Sequence, residues 1–363
     1  MRIAMITGWF LSKKKGSGAS VFIQELKTGL EGKGVRVDLI TPQFLGVQNY
    51  YLATLGRILK NLLLNFKDFN KYDLIVGFDY DGFNISRKNK VPFVSMPRCV
   101  FRDVANTEKG FSKLFVWFQS ILEQVNLSHS DFIISNSVYA KKMIQKYYGM
   151  QEEKIAVVYT GININSRLSA DTEIVRKDDG IIRFLSVGKM YPRKNIPLLL
   201  KVFDLVHQAV PNTELHLVGD GLEYQKVLQI KEKLSSKNQI KTYGFVSDPK
   251  FLKEIYTKSD VVCHFAEQEA FGNVVLEALA LGKPVFALDK ASLPEQVQDG
   301  YNGLLFTDMD INNISRKIIK NISQPGHIKS MSQHALISSE RFTKQKMIEN
   351  FYGKFSEIAK KYN

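Results

Sequence analysis

Apolar runs with strand character alternate with helix-forming segments along the whole of this 363-residue chain. Runs such as "RIAMIT", "DLIVGF" and "PVFAL" are short and largely apolar, which suits strands buried on both faces of a parallel sheet. Between such runs, apolar residues recur at intervals of three and four, as on one face of an amphipathic helix. Since each parallel strand needs a crossover before the next, the alternation predicts an α/β fold.

The alternation forms two successive series of strands. The first series contains "RIAMIT", "VRVDLIT", "DLIVGF", "PFVSM", "FIISNS" and "KIAVVY", and the second contains "IIRFLSVG", "ELHLVGDG", "IKTYGF", "VVCHF", "PVFAL" and "GLLF". A chain of 41.4 kDa is long for a single core, and the polar stretch "TGININSRLSADTEIVRKDDG" separates the two series. We therefore predict two doubly wound, Rossmann-like parallel-sheet domains, residues 1–160 and 161–342.

The last predicted helix of the chain comprises residues 343–363. Its apolar residues are spaced for a single face, and they are Met347, Phe351, Phe355 and Ile358. No strand follows this helix, so it can close the second domain or cross back to the first.

The net charge of +14 favours an anionic partner, which leaves nucleic acid, a membrane surface or a phosphorylated ligand open. The basic residues are not interleaved with aromatic ones and match no nucleic-acid module, so we expect no nucleic-acid partner. Two cysteines, Cys99 and Cys263, indicate no disulfide framework. The start "MRIAMITGWF" suits a strand better than a signal peptide, and no apolar run approaches about 20 residues. These features predict a cytoplasmic protein, with attachment to the inner face of a membrane as an open addition.

The stretch "HFAEQEAFGNVVLEALALGKPV", residues 264–285, carries the strongest functional signal. A loop follows the strand "VVCHF", and we expect Asn273 to be the N-cap of a helix that Gly282 ends. The backbone N–H groups at this helix start, near Phe271, Gly272, Asn273 and Val274, are suited to an anion.

Two glutamates flank that helix start. Glu277 lies one turn into the helix, about 6 Å along its axis, and Glu269 lies on the incoming loop. Because carboxylates accept hydrogen bonds from vicinal hydroxyls, the pair beside an anion site indicates a sugar nucleotide. The alternative is that Glu277 is a solvated charge on an amphipathic helix.

Four other strand ends in these series offer ligand contacts. Lys189 and Lys194 in "VGKMYPRKN" could neutralise a diphosphate without a metal, or form an ordinary basic loop. Gly219 and Gly221 in "VGDG" permit close backbone approach, although a plain turn is the commoner use. The remaining candidates for donor binding are Phe245, which ends "IKTYGF", and Gly16 and Gly18 in "KKKGSGAS".

Several familiar nucleotide and metal sites are excluded or disfavoured. "GSGASV" lacks the third glycine of a dinucleotide fingerprint, and no Walker loop is present. Asp79 and Asp81 form a D-x-D after a strand, which could hold a divalent cation or cap the next helix. The histidines show no H-x-x-x-H pair, so zinc is disfavoured. We expect no metal and no cofactor.

Residues 50–71 contain an apolar stripe at helical spacing. The stripe consists of Leu55, Ile58, Leu59, Leu62 and Phe66, with Arg57, Lys60 and Lys67 elsewhere on the helix. A helix packed into the core is the favoured interpretation, and a membrane-surface helix is the alternative.

Taken together, these segments resemble the retaining glycosyltransferases of family four, which have two domains facing a cleft in the GT-B fold. "EAFGNVVLEALALGKPV" is similar to that family's E-G-F-G…E-A signature, and "VGKMYPRKN" to its G-R-L…K-G/N segment. The segments "GSGAS", "VGDG" and "PEQVQDGYNGLLF" follow in matching order.

The resemblance implies transfer of a hexose, with retained configuration, from a nucleotide diphosphate sugar to a saccharide or lipid-linked acceptor. Glu277 would hold the ribose and Glu269 the transferred sugar, while Lys189 and Lys194 would neutralise the diphosphate. A sugar-nucleotide epimerase and a non-catalytic carbohydrate- or membrane-binding protein remain as alternatives.

The chain departs from the family pattern at three positions. Lys189 stands in place of an arginine, Ala270 in place of the first signature glycine, and Arg98 in place of a histidine near the reaction centre. An arginine stays protonated at neutral pH, so Arg98 would bind an anion rather than act as a base. The alternative is that Arg98 pairs with Asp103 or another neighbouring acid and only shapes its loop.

Overall fold

The fold is that of a two-domain α/β protein. The computed structural model describes residues 1–8, 18–41, 50–85, 90–163 and 179–362. Contacts divide the chain into two compact units: unit 1 contains residues 1–161 and 344–363, and unit 2 contains residues 162–343. Each unit contains one six-stranded parallel sheet, which confirms the predicted fold class.

All twelve strands of the described chain lie where the apolar runs predict them, although several end two or three residues before the quoted run does. They are β1 Arg2–Ile6, β2 Arg36–Ile40, β3 Leu74–Phe78, β4 Phe93–Met96, β5 Phe132–Ser135, β6 Ile155–Val157, β7 Ile182–Val187, β8 Thr213–Val218, β9 Ile240–Thr242, β10 Val261–His264, β11 Val285–Leu288 and β12 Gly303–Phe306. The agreement follows from burial on both faces, which requires runs that are apolar throughout.

Helices occupy most of the segments between the strands. Within the described residues they are α1 Gly18–Glu31, α2 Tyr50–Leu63, α3 Phe101–Ala105, α4 Gly110–His129, α5 Val138–Tyr148, α6 Ile196–Ala209, α7 Tyr224–Lys231, α8 Pro249–Lys258, α9 Asn273–Ala280, α10 Ile311–Ile322, α11 His327–Ser339 and α12 Lys344–Tyr362. A 3₁₀ turn, Leu64–Phe66, continues α2. No helix of the described ranges is long and apolar enough to cross a membrane.

The sheet of unit 1 has the strand order β2-β1-β3-β4-β5-β6. Helices α1 and α12 pack on one of its faces, where the ring of Phe22 lies edge-on to Phe78 at 6.4 Å and to Phe351 at 5.7 Å between centroids. The apolar face of the last helix, which comprises Met347, Phe351, Phe355 and Ile358, is buried in this core. Helix α12 therefore belongs to unit 1 although it follows unit 2 in sequence.

The sheet of unit 2 has the strand order β12-β11-β10-β7-β8-β9. The chain runs outward from β7 through β8 to β9, and then returns to place β10 on the other side of β7. In doubly wound sheets such a reversal leaves a crevice at the carboxyl ends of the two central strands, here β7 and β10.

Helix α2 contradicts the favoured prediction of a stripe packed into the core. Leu55, Leu59, Leu62 and Phe66 are exposed, and only Ile58 of the stripe turns inward. Arg57, which we placed off the apolar stripe, points inward with 11% of its side chain exposed. The helix is amphipathic as predicted, but its polar face is the buried one.

Candidate active site

Four loops of unit 2 meet at one edge of its sheet. They follow β7, β8, β9 and β10, which are neighbours in the order β10-β7-β8-β9. Because these strands are parallel, their carboxyl ends lie on the same side. The loops carry the predicted residues Lys189, Lys194, Gly219, Gly221, Phe245 and Glu269.

Lys194, Glu269 and His264 form a partly buried cluster at the reversal between β7 and β10. The Lys194 ammonium pairs with Glu269 Oε2, and His264 Nε2 lies 3.0 Å from the same oxygen. The Lys194 and Glu269 side chains are 16% and 19% exposed. The cluster therefore joins the loop after β7 to the loop after β10 and still reaches the surface.

The charges of this cluster follow from burial and proximity. Burial alone would raise the pKa of Glu269, but the Lys194 charge and the His264 hydrogen bond outweigh it and hold that pKa well below its usual range. Burial lowers the pKa of His264, and the charge of Lys194 lowers it further, so the ring is neutral at pH 7. Since ionised Glu269 can only accept, the proton of His264 is on Nε2.

Backbone contacts fix the position of these loops. The carbonyl of Glu269 accepts hydrogen bonds from the Ser292 hydroxyl at 2.8 Å and from the Ser292 amide at 3.3 Å. The amide of Glu267 donates to the carbonyl of Arg193 at 2.8 Å. The backbone of Glu269 is thus held in place independently of the ion pair that its carboxylate makes.

The start of α9 differs from the prediction by one residue. Gly272, with φ of 83°, is the N-cap, and Asn273 is the first helical residue without a side-chain cap. A left-handed backbone at this position suits glycine, which explains why Asn273 does not cap. As predicted, Gly282 follows the helix end with φ of 66°.

The turn before α9 leaves backbone N–H groups for a ligand. The amides of Val275 and Leu276 donate to the Gly272 carbonyl, whereas residues 272–274, including Val274, have no acceptor within the helix. The Phe271 carbonyl accepts from the Gln296 side chain, and the Phe271 ring packs edge-on against Phe342. The side chain and the carbonyl of Phe271 therefore support the turn, and a donor contact at Phe271 stays a prediction.

Glu277 lies one turn into α9, on the face it shares with Asn273. Its side chain is half-buried, and its Oε2 lies 3.3 Å from the hydroxyl of buried Tyr256 on α8. This contact orients the carboxylate, so Glu277 is more than a solvated charge on a helix surface.

Gly219 and Gly221 allow close approach, but the approaching group is this chain's own backbone. A Cβ atom on Gly219 would lie 1.9 Å from the Gly188 carbonyl oxygen, and one on Gly221 would lie 2.8 Å from backbone atoms of Met190. The Met190 amide also donates to the Asp220 carbonyl at 2.7 Å. These glycines let the loops after β7 and β8 pack against each other, and a ligand contact at either stays a prediction.

Lys189 and Lys194 do not share a partner. The Lys189 ammonium pairs with the Asp220 carboxylate and lies 5.3 Å from the centroid of the exposed Phe245 ring. Both lysines, together with His264, line a small cavity of about 10 Å³, which is space for about one water molecule. The two cations therefore approach the same edge of the sheet from separate ion pairs.

Arg98 in unit 1 is held by its own surroundings. Its amide donates to Asp79 at 2.8 Å, its guanidinium donates to the Thr160 hydroxyl at 2.9 Å, and it lies 3.7 Å from the centroid of the Phe22 ring. Burial lowers the pKa of Arg98 to about 10, so it remains protonated at neutral pH. Asp103, the acid we considered as its partner, accepts from the Tyr139 hydroxyl at 2.7 Å.

The D-x-D of unit 1 is an ion-pair cluster. Asp79 and Asp81 are fully buried, and Arg57 contacts Asp81 with Nε at 2.8 Å and Nη2 at 2.6 Å. Asn61 donates to Asp81 at 2.9 Å. The described ranges contain no group of three or more His, Cys, Asp or Glu side chains placed to hold a metal ion.

Of the two glycines predicted to bind the donor in unit 1, Gly18 lies within the described residues. Gly18 is exposed and is the first residue of α1, whereas Gly16 lies outside the described residues. The donor-binding role of both stays a prediction.

Comparison with solved structures identifies the fold. Anabaena HepE, solved in complex with UDP and glucose, superposes with a TM-score of 0.73 at 22% identity over 98% of this chain and 100% of its own. WaaG, a glycosyltransferase involved in lipopolysaccharide biosynthesis, gives a TM-score of 0.73 at 17% identity, over 96% of this chain and 98% of its own.

Two family models match successive parts of the sequence. "Glycosyltransferase Family 4" matches residues 16–166, and "Glycosyl transferases group 1" matches residues 170–338. The chain is a glycosyltransferase of the GT-B fold.

Alignments of this glycosyltransferase with curated relatives cover less of each chain than the superpositions on solved structures do. A 41.2 kDa protein in the cps region of Klebsiella pneumoniae is 29% identical over 261 residues, which are 68% of each chain. The D-inositol 3-phosphate glycosyltransferase of Segniliparus rotundus is 26% identical over 227 residues, which are 60% of this chain and 50% of that protein. The alignments thus span about half to two thirds of these relatives.

His264 was not among the site residues predicted from the sequence of this glycosyltransferase. The histidines form no metal-binding pair, whereas His264 is a single histidine that contacts the predicted carboxylate of Glu269. The available signal was its place as the last residue of an apolar strand, five residues before a candidate carboxylate.

Proposed function

We propose that this glycosyltransferase transfers a hexose from a nucleotide diphosphate sugar to an acceptor hydroxyl with retention of configuration. The observation that carries the proposal is the cluster of Lys194, Glu269 and His264 beside the start of α9, with Glu277 one turn along the helix. The cluster combines positive charge, helix N–H groups and two carboxylates, which are the groups a nucleotide sugar requires.

Each part of the donor has a matching group in this proposal. The diphosphate binds the N–H groups of residues 272–274 and the ammonium groups of Lys189 and Lys194. The hydroxyls of the ribose donate to Glu277. The hydroxyls of the hexose donate to Glu269, whose carboxylate is ionised and partly exposed.

The reaction follows from the leaving group. The bond between the anomeric carbon and the diphosphate oxygen breaks, and the acceptor oxygen forms a bond to that carbon on the same face. The acceptor proton passes to the departing phosphate oxygen. Lysine ammonium and helix N–H groups aimed at the diphosphate stabilise the charge that develops there.

For the donor we propose a first compound to test, and for the acceptor a chemical class. UDP-glucose is the first donor to test, because the similar fold of Anabaena HepE has been solved with UDP-glucose bound. Arg98 supports an acceptor that carries a phosphate or carboxylate, either saccharide or lipid-linked. A relative named for D-inositol 3-phosphate is consistent with a phosphorylated acceptor.

We propose that transfer needs no divalent metal. Arg57, Asn61 and two backbone amides already engage the carboxylates of Asp79 and Asp81, and lysines supply positive charge in unit 2. Activity that disappears in EDTA and returns with Mn²⁺ or Mg²⁺ would refute this part.

Donor binding is tested first, by thermal shift against UDP, ADP and GDP sugars. A ligand at 100 times its dissociation constant stabilises the protein by about 2.7 kcal/mol. Calorimetry then compares Glu277→Gln with Glu254→Gln, a control on the neighbouring helix α8 that pairs with Lys258 at the surface. We expect only Glu277→Gln to weaken nucleoside diphosphate binding, by about 1.5–3 kcal/mol. Equal affinities in the two variants would refute the ribose contact.

Transfer is tested with the donor that binds and a panel of phosphorylated and neutral saccharides. We expect a product whose anomeric configuration, read by NMR, matches that of the donor. An inverted product would refute retention. Donor that is isomerised without an acceptor would indicate an epimerase, and donor that binds without turnover would indicate a binding protein.

A further inference from the structure

Helix α2 and the 3₁₀ turn after it present an apolar face to solvent. Along this face every large side chain is between 44% and 84% exposed, and the residues are Leu52, Leu55, Leu59, Leu62, Leu63 and Phe66. A helix of a soluble domain normally turns such a stripe toward the core. Exposed apolar stripes of this size mark interaction surfaces.

Buried polar contacts explain why the leucines of α2 face outward. Arg57 donates twice to Asp81, at 2.8 and 2.6 Å, and Asn61 donates to the same carboxylate at 2.9 Å. The side chain of Asn61 also accepts from the Gly82 amide at 2.8 Å. Since Arg57 and Asn61 lie on one face of α2, these bonds fix the rotation of the helix and leave its apolar face uncovered.

The first half of α4 presents a second apolar face. Its exposed side chains are Phe111, Leu114, Trp117 and Phe118, each between 41% and 64% exposed. The opposite face, which includes Val116 and Glu123, is buried. The guanidinium of Arg102 lies 5.2 Å from the centroid of the Trp117 ring.

The two faces belong to one region of unit 1. Ile58 of α2 and Val116 of α4 pack in the same apolar cluster, around Tyr80 and Phe83. The outer faces of both helices therefore cover this cluster. We name their ten exposed side chains the α2–α4 surface, and they are nearly half of the large apolar side chains exposed in the described chain.

Lysines surround the α2–α4 surface, and acids are scarce there. Exposed Lys67 and Lys71 follow α2, exposed Lys109 and Lys113 lie at the start of α4, and Asp68 is the single acid of residues 50–71. Protein interfaces are depleted in lysine around aromatic residues, whereas membrane-surface segments combine lysine with Leu, Phe and Trp. The surface charge is complementary to anionic headgroups.

We propose that the α2–α4 surface docks on an anionic phospholipid bilayer. Leucine and aromatic side chains enter the boundary between headgroups and acyl chains, and the lysines contact lipid phosphates. Arg57 is not a lipid contact, because it holds α2 from inside. This inference is independent of the proposed function, since donor binding is placed in unit 2.

The first experiment is vesicle flotation with the full chain. We compare vesicles of phosphatidylcholine containing about 30% phosphatidylglycerol with pure phosphatidylcholine, at low and high salt. We expect binding to the anionic vesicles that weakens with salt. Leu59→Glu combined with Phe66→Glu, and separately Leu114→Glu combined with Phe118→Glu, should each lower the partition coefficient at least about tenfold.

The matched control combines Leu222→Glu with Ile337→Glu, which changes two exposed apolar residues of unit 2. It should leave vesicle binding unchanged. Circular dichroism and the donor thermal shift establish that each variant is folded. The α2 and α4 pairs are independent, so a folding defect in one leaves the other as a test.

A second measurement uses the tryptophans. The sequence has two, Trp9 and Trp117, so Trp9→Phe leaves Trp117 as the only one. Its emission should shift to shorter wavelength on anionic vesicles and be quenched by lipids brominated along the acyl chain.

Three outcomes overturn the proposal. One is that the wild-type chain binds neither vesicle, and another is that the unit 2 control loses as much binding as the α2 and α4 variants. The third is concentration-dependent dimerisation, seen by analytical ultracentrifugation, that the glutamate variants abolish, because the surface would then bind a second copy of this chain.

Discussion

Two clusters of carboxylates and cations lie at strand ends in this protein, one in each unit. They differ in how many of their carboxylate oxygens already accept hydrogen bonds from the protein. In unit 1, Arg57 binds Asp81 after β3, with Asp79 beside it. In unit 2, Lys194 and His264 bind Glu269 after β10. The residue types are similar, but the two clusters differ in how many carboxylate oxygens remain to accept hydrogen bonds from a ligand.

The unit 1 cluster has used its acceptors. Asp81 Oδ1 accepts from Arg57 and Asn61, Oδ2 accepts from Arg57 and the Gly8 amide, and neither Asp79 nor Asp81 is exposed. In unit 2 both donors use Oε2 of Glu269, and its side chain is partly exposed, so Oε1 can accept from a sugar hydroxyl. Complete burial with saturated acceptors indicates a structural cluster, and partial exposure with an acceptor to spare indicates a binding site.

The largest expected effect comes from breaking the unit 1 cluster. Arg57→Met leaves the Asp81 carboxylate buried without a cation, which should cost about 3–5 kcal/mol of unfolding free energy. Denaturant unfolding followed by tryptophan fluorescence measures this, because both tryptophans belong to unit 1. Lys60→Met, one turn along α2 on the half-exposed side, is the control. Equal stabilities for the two variants would show that the cluster does not stabilise unit 1.

The unit 2 cluster should respond in activity more than in stability. Glu269→Gln removes the charge aimed at the donor sugar, and we expect turnover to fall roughly 100- to 1,000-fold. Its loss of stability should be smaller than that of Arg57→Met, because Glu269 and Lys194 are partly solvated. Glu267→Gln, two residues earlier on the same loop, should change turnover less than about threefold. The reverse order of effects would move the site to Glu267.

Glu123 on α4 is a third carboxyl of the comparison, and it shows how burial without a paired cation changes a carboxyl pKa. Its Oε2 accepts from the Tyr148 hydroxyl and, at 2.8 Å, from the Phe101 amide, and no cation of the described chain pairs with it. Burial raises the pKa of Glu123 to about 8 even though these hydrogen bonds lower it. The folded state therefore holds a proton that the unfolded state releases above its ordinary value of 4.5.

The sign of the pH dependence follows from that proton. Between the unfolded and folded pKa values the native state binds more protons, so the contribution of Glu123 to stability falls as pH rises from about 4.5 to 8. Glu123→Gln cannot ionise, and we expect it to gain about 2 kcal/mol or more over the wild type between pH 5 and pH 9. Unfolding midpoints at the two pH values measure this. A constant difference between the two proteins would mean that Glu123 is ionised when folded.

The smallest expected effect is at His264. His264→Phe removes the donor to Glu269 Oε2, and we expect turnover to fall about tenfold, because one hydrogen bond to a charged group is worth about 1.5–3 kcal/mol. His264 is a positioning residue, so nucleoside diphosphate affinity should not change, and His264→Gln, which restores a donor, should recover part of the turnover. Loss of affinity and turnover together, without rescue by glutamine, would make His264 a structural residue of the β10 strand end.

Local pattern was enough to predict most of the fold. The twelve strands lie where the apolar runs are, and the start of α9 differs by a single residue because Gly272, rather than Asn273, takes the left-handed cap. The Glu269 and Glu277 pair was also visible, because only seven residues lie between them and both lie around one helix start. Such features depend on burial and on short spacings along the chain, and both can be read directly from the sequence.

The facing of α2 and the partners of each carboxylate were decided only by the tertiary structure. The apolar stripe of α2 is plain in the sequence, but its outward rotation depends on Asp81, which lies 24 residues beyond Arg57. The same limit hid the cluster of Lys194 and Glu269, which are 75 residues apart. A sequence determines which side chains carry charge and which faces are apolar. Whether a charge is matched, and which face is buried, depends on strands that only the folded sheet brings side by side.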